Sequence, residues 1–294
     1  MRFVTFLQNG FQKIGLVTGE GVLDLHAAKE ALGISVNLPE SLVEVIEAGD
    51  SAIDLVQSIQ KSAESSKYIL PVSDVQLLAP IPRPRKNIFC VGKNYVEHAK
   101  EMKADKPPEH PILFSKAPTS VIGPDADIDS HPGVTEKIDY EGELAIVIGK
   151  KAKSVKKEQA YEYVFGYTII NDVSARDKQF RHTQWLLGKS LDTFCPMGPV
   201  LVHKSELPDP QNLNLETRVN GEVRQSSNTS LMIFDIPTLI ATITEGTTLE
   251  PGDIIATGTP AGVGMGFEPP RLLQAGDVVE VEIEGIGVLR NQVK

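Results

Sequence analysis

Three acidic positions stand where chemistry could be done. The segment DYEGELAIVIGK, Asp139–Lys150, sets Glu141 and Glu143 one residue apart at the mouth of an apolar strand. Alternate side chains of an extended chain share a face, so the two carboxylates lie on one side with Cα atoms about 7 Å apart. Like charges so placed need a cation. Downstream, FGYTIINDVSARD reads as a strand ending at Asn171 and Asp172, and Asp172 joins the pair if the two strands are neighbours. Three carboxylates without thiolates or clustered histidines form a hard oxygen site suited to Mg²⁺ or Mn²⁺, with positions left for water or substrate. Zinc fits less well. By itself, Glu-x-Glu also describes two solvated strand acids, the commoner state of a carboxylate.

A second cluster lies in CVGKNYVEHAKEM, where a strand passes through a glycine turn into a short helical piece. His98 and Glu101 stand three apart and share a helix face, whereas Glu97, adjacent to His98, diverges from it. A carboxylate beside an imidazole orients the ring and holds its charged form, which suits a general acid or base near neutral pH. An ordinary surface pair has the same spacing. Lys189, in GKSLDTFCPMGP, is a fixed cation for an acidic substrate. In GDIIATGTPAGVGMG a strand runs into a glycine-rich loop, where Gly258 and Thr259 can offer a backbone N–H and a hydroxyl to a carboxylate. A plain turn reads the same way. The loop has neither the Gly-Lys-Ser/Thr ending of a phosphate-binding P-loop nor the helix start of a dinucleotide turn.

Residues 2–24 read as short strands, RFVTFL, KIGLVT and VLDL, which begin the chain with a small sheet. Helical periodicity follows in HAAKEALG, PESLVEVIEAG and SAIDLVQSIQKSAESS. Pro71, Pro80, Pro82 and Pro84 then favour an extended connector. The boundary is placed there, between a small α+β domain over 1–75 and a β domain over 76–294. Beyond it NIFCVG, ILFSK, GELAIVIG, FGYTIIND, PVLVH and LETRVNGEVRQ read as strands, with Asn220-Gly221 a two-residue hairpin turn. GDIIATG and GDVVEVEIEGIGVL complete the set. Helices are expected near 156–162 and from Asp235 to Glu245. The fold class is therefore α+β, mostly β.

A net charge of -10 over 294 residues argues against nucleic-acid or anionic-membrane partners, which require a positive field. A small-molecule partner is expected instead. No apolar run approaches the ~20 residues of a membrane span, and the opening turns polar at Gln8 and Asn9, too early for a signal peptide. A cytoplasmic address is expected. Cys90 and Cys195 lie outside any CxxC spacing and read as small core residues. Phe234, Ile236 and Trp185 are likewise assigned to the core rather than to a subunit contact.

Taken in order, VGKNYVEHAKEM, DYEGELAIVIGK, FGYTIINDVSARD, GKSLDTFCPMGP, VNGEVRQ and GDIIATGTPAGVG resemble the fumarylacetoacetate hydrolase superfamily. The likeness runs from about residue 85 to the end, and the amino-terminal unit resembles the bacterial branch related to acylpyruvate hydrolases and oxaloacetate decarboxylases. This resemblance implies a mixed β-sandwich roll, assembled as a homodimer, with one Mg²⁺ or Mn²⁺ per subunit on Glu141, Glu143 and Asp172. It makes His98 and Glu101 an acid-base dyad on a mobile lid segment. Lys189 matches a lysine near the substrate carboxylate, Thr259 the threonine of a Thr-Gly-Thr loop, and Arg176 and Gln179 polar residues after the third ligand. Gly92, Lys93 and Gly258 are counted with the substrate-binding residues.

The chemistry so implied is cleavage of a carbon-carbon bond in a small 2-oxo acid. The acid chelates the ion through its C1 carboxylate and C2 carbonyl, and the ion stabilises the enolate left when the C3–C4 bond breaks. Oxaloacetate decarboxylation to pyruvate and CO₂ is expected. Acylpyruvate hydrolysis, with water activated by His98 and Glu101, is the alternative, followed by sugar-acid dehydration. A reading of another class is a scaffold or binding protein with a structural metal, using the amino-terminal unit to contact a protein partner.

Overall fold

The structure is a computed structural model that describes residues 1–62, 66–103 and 106–294. At its centre is the strand Gly142–Ile148, buried along its whole length. Such a strand must be covered on both faces, and alternation sorts its side chains between them. Leu144, Ile146 and Ile148 enter one core with Leu215, Val281 and Ile283. Ala145 and Val147 enter another with Ile254, Ala256, Leu42, Val45 and Val56. Glu141 and Glu143 continue the second face. Gly142, on the first, sits so close to the facing sheet that a Cβ would lie 2.4 Å from Thr217 Oγ1 and 2.8 Å from Val281 Cγ1. A larger residue there would pry the layers apart.

Among the described residues this strand belongs to a 12-stranded sheet. Val164–Asn171 and Ile254–Ala256 flank it, both antiparallel. Ile88–Gly92 pairs in parallel with Ile254–Ala256, and Ile112–Lys116 closes that side. In the other direction come Cys195–His203 and then Arg2–Gln8. The amino-terminal strands do not form a small sheet of their own. Arg2 opposite Val202 and Phe3 opposite Leu201 make them an extension of the large one. Periodicity marks which residues of a strand face a core and carries no information on which strand lies alongside.

Five further strands, in the order Glu222–Asn228, Asn214–Val219, Val278–Ile283, Gly287–Val293 and Asp127–Ile128, form the facing sheet, so the fold is the mixed β-sandwich expected, with helices added to a mostly β chain. Asn220 and Gly221 have φ of 52° and 78°, the paired positive values of a type I′ hairpin turn. The amino-terminal helices cap the second core. Leu42–Ala48 starts at Ser41, whose hydroxyl accepts from Glu44 N–H while the Glu44 carboxylate reaches back, a capping box. Asp50–Ser62 buries Ile53, Val56 and Ile59 on one face; its expected continuation over 63–65 lies outside the described residues. Near 156–162 the expected helix is a 3-10 helix, Lys157–Tyr163, a distinction that periodicity cannot draw over two turns. Ile236–Thr244 begins at Asp235, which accepts from Thr238 N–H. Among the described residues no helix is long and apolar enough to cross a membrane.

Candidate metal and acid-base site

Strand register performs the first step of assembly. Gly142 lies opposite Asn171 across the two antiparallel strands, which brings Glu141 beside Asp172. Asp172 N–H donates to Glu141 O at 2.8 Å and Glu141 N–H to Asn171 Oδ1 at 3.0 Å. One carboxylate oxygen from each of Glu141, Glu143 and Asp172 then falls within 4.8 Å of the others, and all three residues are buried. The solvated-acid reading of Glu-x-Glu is thereby excluded.

Burial raises the Glu143 carboxyl well above its ordinary range, and the charges of Asp172 and Glu141 push it further in the same direction. Burial acts likewise on Glu141, but Lys189, Arg176 and His98 outweigh it and hold that carboxyl down at about 2. Three hard oxygens close enough to share one ion, one of them with its charged form disfavoured by burial and by the other two, are what a divalent cation completes. The donor set therefore fits a Mg²⁺- or Mn²⁺-type ion held by Glu141, Glu143 and Asp172.

Two lysines face the same carboxylates. Lys189 Nζ donates to Glu141 Oε2 at 2.7 Å and to Asp172 Oδ2 at 2.8 Å. Its ammonium is thus committed to protein carboxylates rather than held free for a substrate, because a buried cation needs an anion at contact. Lys116 Nζ, fully buried, donates to Asp172 Oδ1 at 2.6 Å, to Val173 O at 3.1 Å and to Lys189 O. Sequence reasoning missed Lys116. Its one signal is a cation at the end of the otherwise apolar strand ILFSK.

Arg176 departs from its expected role in a similar way. Its Nε donates to Asp139 Oδ2 at 2.9 Å and its Nη1 to Gln179 Oε1 at 3.0 Å, with Nη1 also 2.7 Å from Glu141 Oε1. The guanidinium positions Glu141 and the Gln179 amide before it can meet any ligand. Asp139, its anchor, was also missed, although it continues the Glu141/Glu143 alternation by one step.

The glycine-rich loop holds these acids by its backbone. Gly258 N–H donates to Glu143 Oε2 at 2.8 Å, Gly262 N–H to Glu101 Oε1 at 2.9 Å, and Gly264 and Met265 N–H to Asp139 at 2.6 and 3.0 Å. The Gly258 amide, read from sequence as a substrate contact, is therefore occupied by a site carboxylate. Glycine is required at 258, since φ is +100° and a Cβ would lie 2.8 Å from Asn94 Cβ. The Thr259 hydroxyl donates to Gly142 O at 3.0 Å and accepts from Gln225 Nε2 at 2.7 Å, so it ties the loop to the central strand. These bonds form only in the fold, and no local pattern announces them.

The helix Val96–Glu101 sets His98 Nδ1 3.1 Å from Glu101 Oε2. Glu97 points to solvent and pairs with Lys100. A single cavity is lined by His98, Glu141, Arg176 and Lys189, and Gly92, Lys93, Gln179 and Thr259 contribute to its wall. Val91, Phe114 and Trp185 form an apolar side. Trp185 is thus partly exposed to the cavity rather than a core residue, whereas Ile236 is fully buried as expected. The cavity brings Glu141 of the carboxylate cluster and His98 of the histidine-carboxylate pair to one apolar wall, a set able to polarise a small oxo acid and move a proton on it.

The description "Fumarylacetoacetate (FAA) hydrolase C-terminal" matches residues 87–294. The chain is 50% identical over 300 residues to oxaloacetate tautomerase YisK of Bacillus subtilis, covering 100% of both chains. It is 44% identical over 299 residues to the mitochondrial oxaloacetate tautomerase fahd2 of Xenopus laevis, covering 100% of this chain and 90% of that one. Among solved structures, a fumarylacetoacetate hydrolase from the psychrophile Exiguobacterium antarcticum superposes with a TM-score of 0.84 at 46% identity, covering 100% of this chain and 99% of the other.

Proposed function

This chain belongs to the fumarylacetoacetate hydrolase family, and from that premise we propose that it is an enzyme interconverting the keto and enol forms of oxaloacetate. The observation that carries the reading is that His98, paired with Glu101, lines the same cavity as Glu141. Support comes also from two relatives named as oxaloacetate tautomerases that match the whole chain.

In this reading Glu141, Glu143 and Asp172 hold a divalent cation. When bound, it supplies Lewis acidity to the carboxylate and carbonyl oxygens of a 2-oxo acid, lowering the cost of negative charge on the C2 oxygen. Glu101 Oε2 accepts from His98 Nδ1–H, which leaves Nε2 as the proton-accepting atom. His98 Nε2 takes a proton from C3 of the keto form and delivers it to the C2 oxygen, and ketonisation runs the same transfer in reverse. Arg176 fixes the Glu141 carboxylate and the Gln179 amide, and the apolar wall excludes water from the reacting carbon.

Decarboxylation to pyruvate is a second reading, favoured by the wall of Phe114 and Trp185. A C4 carboxylate set against those rings is poorly solvated, and its loss as CO₂ leaves the pyruvate enolate, with its charge shared between C3 and the C2 oxygen. Two assays on one oxaloacetate solution separate the readings: ultraviolet absorbance of the enol for tautomerisation, and a pyruvate-specific coupled assay for CO₂ loss. We expect the enol signal to relax faster with enzyme, pyruvate to form much more slowly, and His98→Ala to lower the relaxation rate about 10²- to 10⁴-fold. Unchanged enol relaxation, together with efficient cleavage of acetylpyruvate, overturns the proposal.

A further inference from the structure

We infer that Trp185 sets the length of 2-oxo acid this cavity accepts, with Gly92 as the space that lets the indole stand there. The inference rests on the reading that a small 2-oxo acid binds in the cavity. Trp185 lines it together with Glu141 and Lys189 and packs edge-on against Phe114, ring centroids 5.2 Å apart. A Cβ built on Gly92 would meet Trp185 Cζ3 at 2.7 Å and Cη2 at 3.2 Å. The indole therefore occupies the volume that any side chain at 92 would fill.

The wall is also tied to the polar end. Trp185 is the N-cap residue of the short helix Leu186–Lys189, and its carbonyl accepts from Lys189 N–H at 3.1 Å. Lys189 in turn holds Glu141 and Asp172 at 2.7 and 2.8 Å. One turn of backbone thus couples the indole to the lysine that holds the carboxylates. A ligand anchored by its C1 carboxylate and C2 carbonyl has its far end measured against the indole, and each methylene beyond the available length meets a ring that Phe114 braces.

The chain has a single tryptophan, so intrinsic tryptophan emission reports on this residue alone. The test uses full-length protein with Mg²⁺ added and three probes: oxaloacetate, 2-oxoglutarate and 2-oxoadipate, which lengthen by one methylene each. Binding is measured by calorimetry and, in the unsubstituted protein, by Trp185 fluorescence. We expect affinity to fall about ten-fold or more for each added methylene, with emission changing in step with calorimetric saturation. In Trp185→Ala the preference for oxaloacetate over 2-oxoadipate should shrink at least ten-fold. In Gly92→Ala, which pushes the indole into the cavity, it should widen or binding of all three should weaken.

An equal change for all three acids in Trp185→Ala, or saturation without any change in emission, overturns the inference. So does a failure of all three acids to bind. If Trp185→Ala does not fold, Trp185→Leu and Gly92→Ala carry the same comparison. Because the readout is binding, length discrimination that follows Trp185 in a protein without tautomerase activity would sink the proposed reaction and leave this inference standing.

Discussion

Lys116 Nζ donates to Asp172 Oδ1 at 2.6 Å with both side chains fully buried. The strand Ile112–Lys116 thereby delivers a cation beneath a carboxylate that arrives from the end of Val164–Asn171. Taking Lys116 away leaves Lys189 to compensate the buried Asp172, at a cost of up to about 3–5 kcal/mol. Lys116→Met is therefore expected to destabilise the cation-free protein by that amount in urea unfolding, and adding Asp172→Asn should recover part of the loss. A loss under about 1 kcal/mol in the single variant would contradict the pairing.

Removal of divalent ions by a chelator should abolish turnover, and Mg²⁺ or Mn²⁺ should restore it. The carboxylate cluster also makes a prediction independent of activity. Free cation at a hundred-fold excess over its dissociation constant stabilises a folded site by about 2.7 kcal/mol, readable as a rise in melting temperature. Glu143→Gln, which removes a carboxylate whose pKa burial and its acidic neighbours raise, should lose most of that rise. An ion-independent melting curve in the unsubstituted protein would rule out the site.

Gly266 marks a place where packing and chemistry separate. A Cβ there would lie 2.0 Å from Glu101 Oε1 and 2.3 Å from its Cγ, so Gly266→Ala must displace the whole carboxylate from His98. Turnover should drop about ten- to a hundred-fold, the usual cost of losing a group that orients a site residue. Stability should fall by only about 1 kcal/mol, the worth of the Gly262 N–H to Glu101 hydrogen bond that is lost. Wild-type turnover would show that Glu101 does not orient His98.

His203 gives stability a pH dependence. Burial, the amino-terminal ammonium and Lys204 together lower its pKa from 6.5 to about 4, and Ser205 N–H donates to its Nδ1 at 3.3 Å. Between those values the unfolded chain binds a proton that the folded protein refuses, so stability falls as pH drops from about 6.5 toward 4. His203→Gln should flatten the upper part of that slope, above the range where carboxylates titrate, in melting temperature measured against pH. An identical slope in both proteins would assign the effect elsewhere.

Much of the site was legible because its residues are close in sequence or carry short-range pattern. Glu141 and Glu143 share a face through the strand repeat of two, and His98 and Glu101 through the helix repeat of three to four. Asp172 required one assumption, that two strands pair, and the register of Gly142 with Asn171 supplies it. Lys116 and Asp139 escaped notice for different reasons. Lys116 comes from a strand at the far edge of the sheet path, separated from Asp172 by 56 positions. Asp139 sits in plain sight within the alternation but reads as one more strand acid until Arg176 is seen against it.

The sequence by itself determined the element types, the two chemical clusters and the likeness to one family, since all three reside in local periodicity and motif order. Only the tertiary structure decided that the glycine-rich loop grips the protein's own acids, that Lys189 and Arg176 are committed to carboxylates, and that Trp185 walls the cavity. The physical reason is that a buried charge takes whichever partner the packing brings to contact. That partner lies dozens of residues away, on a strand whose neighbours are chosen by the shape of the whole core.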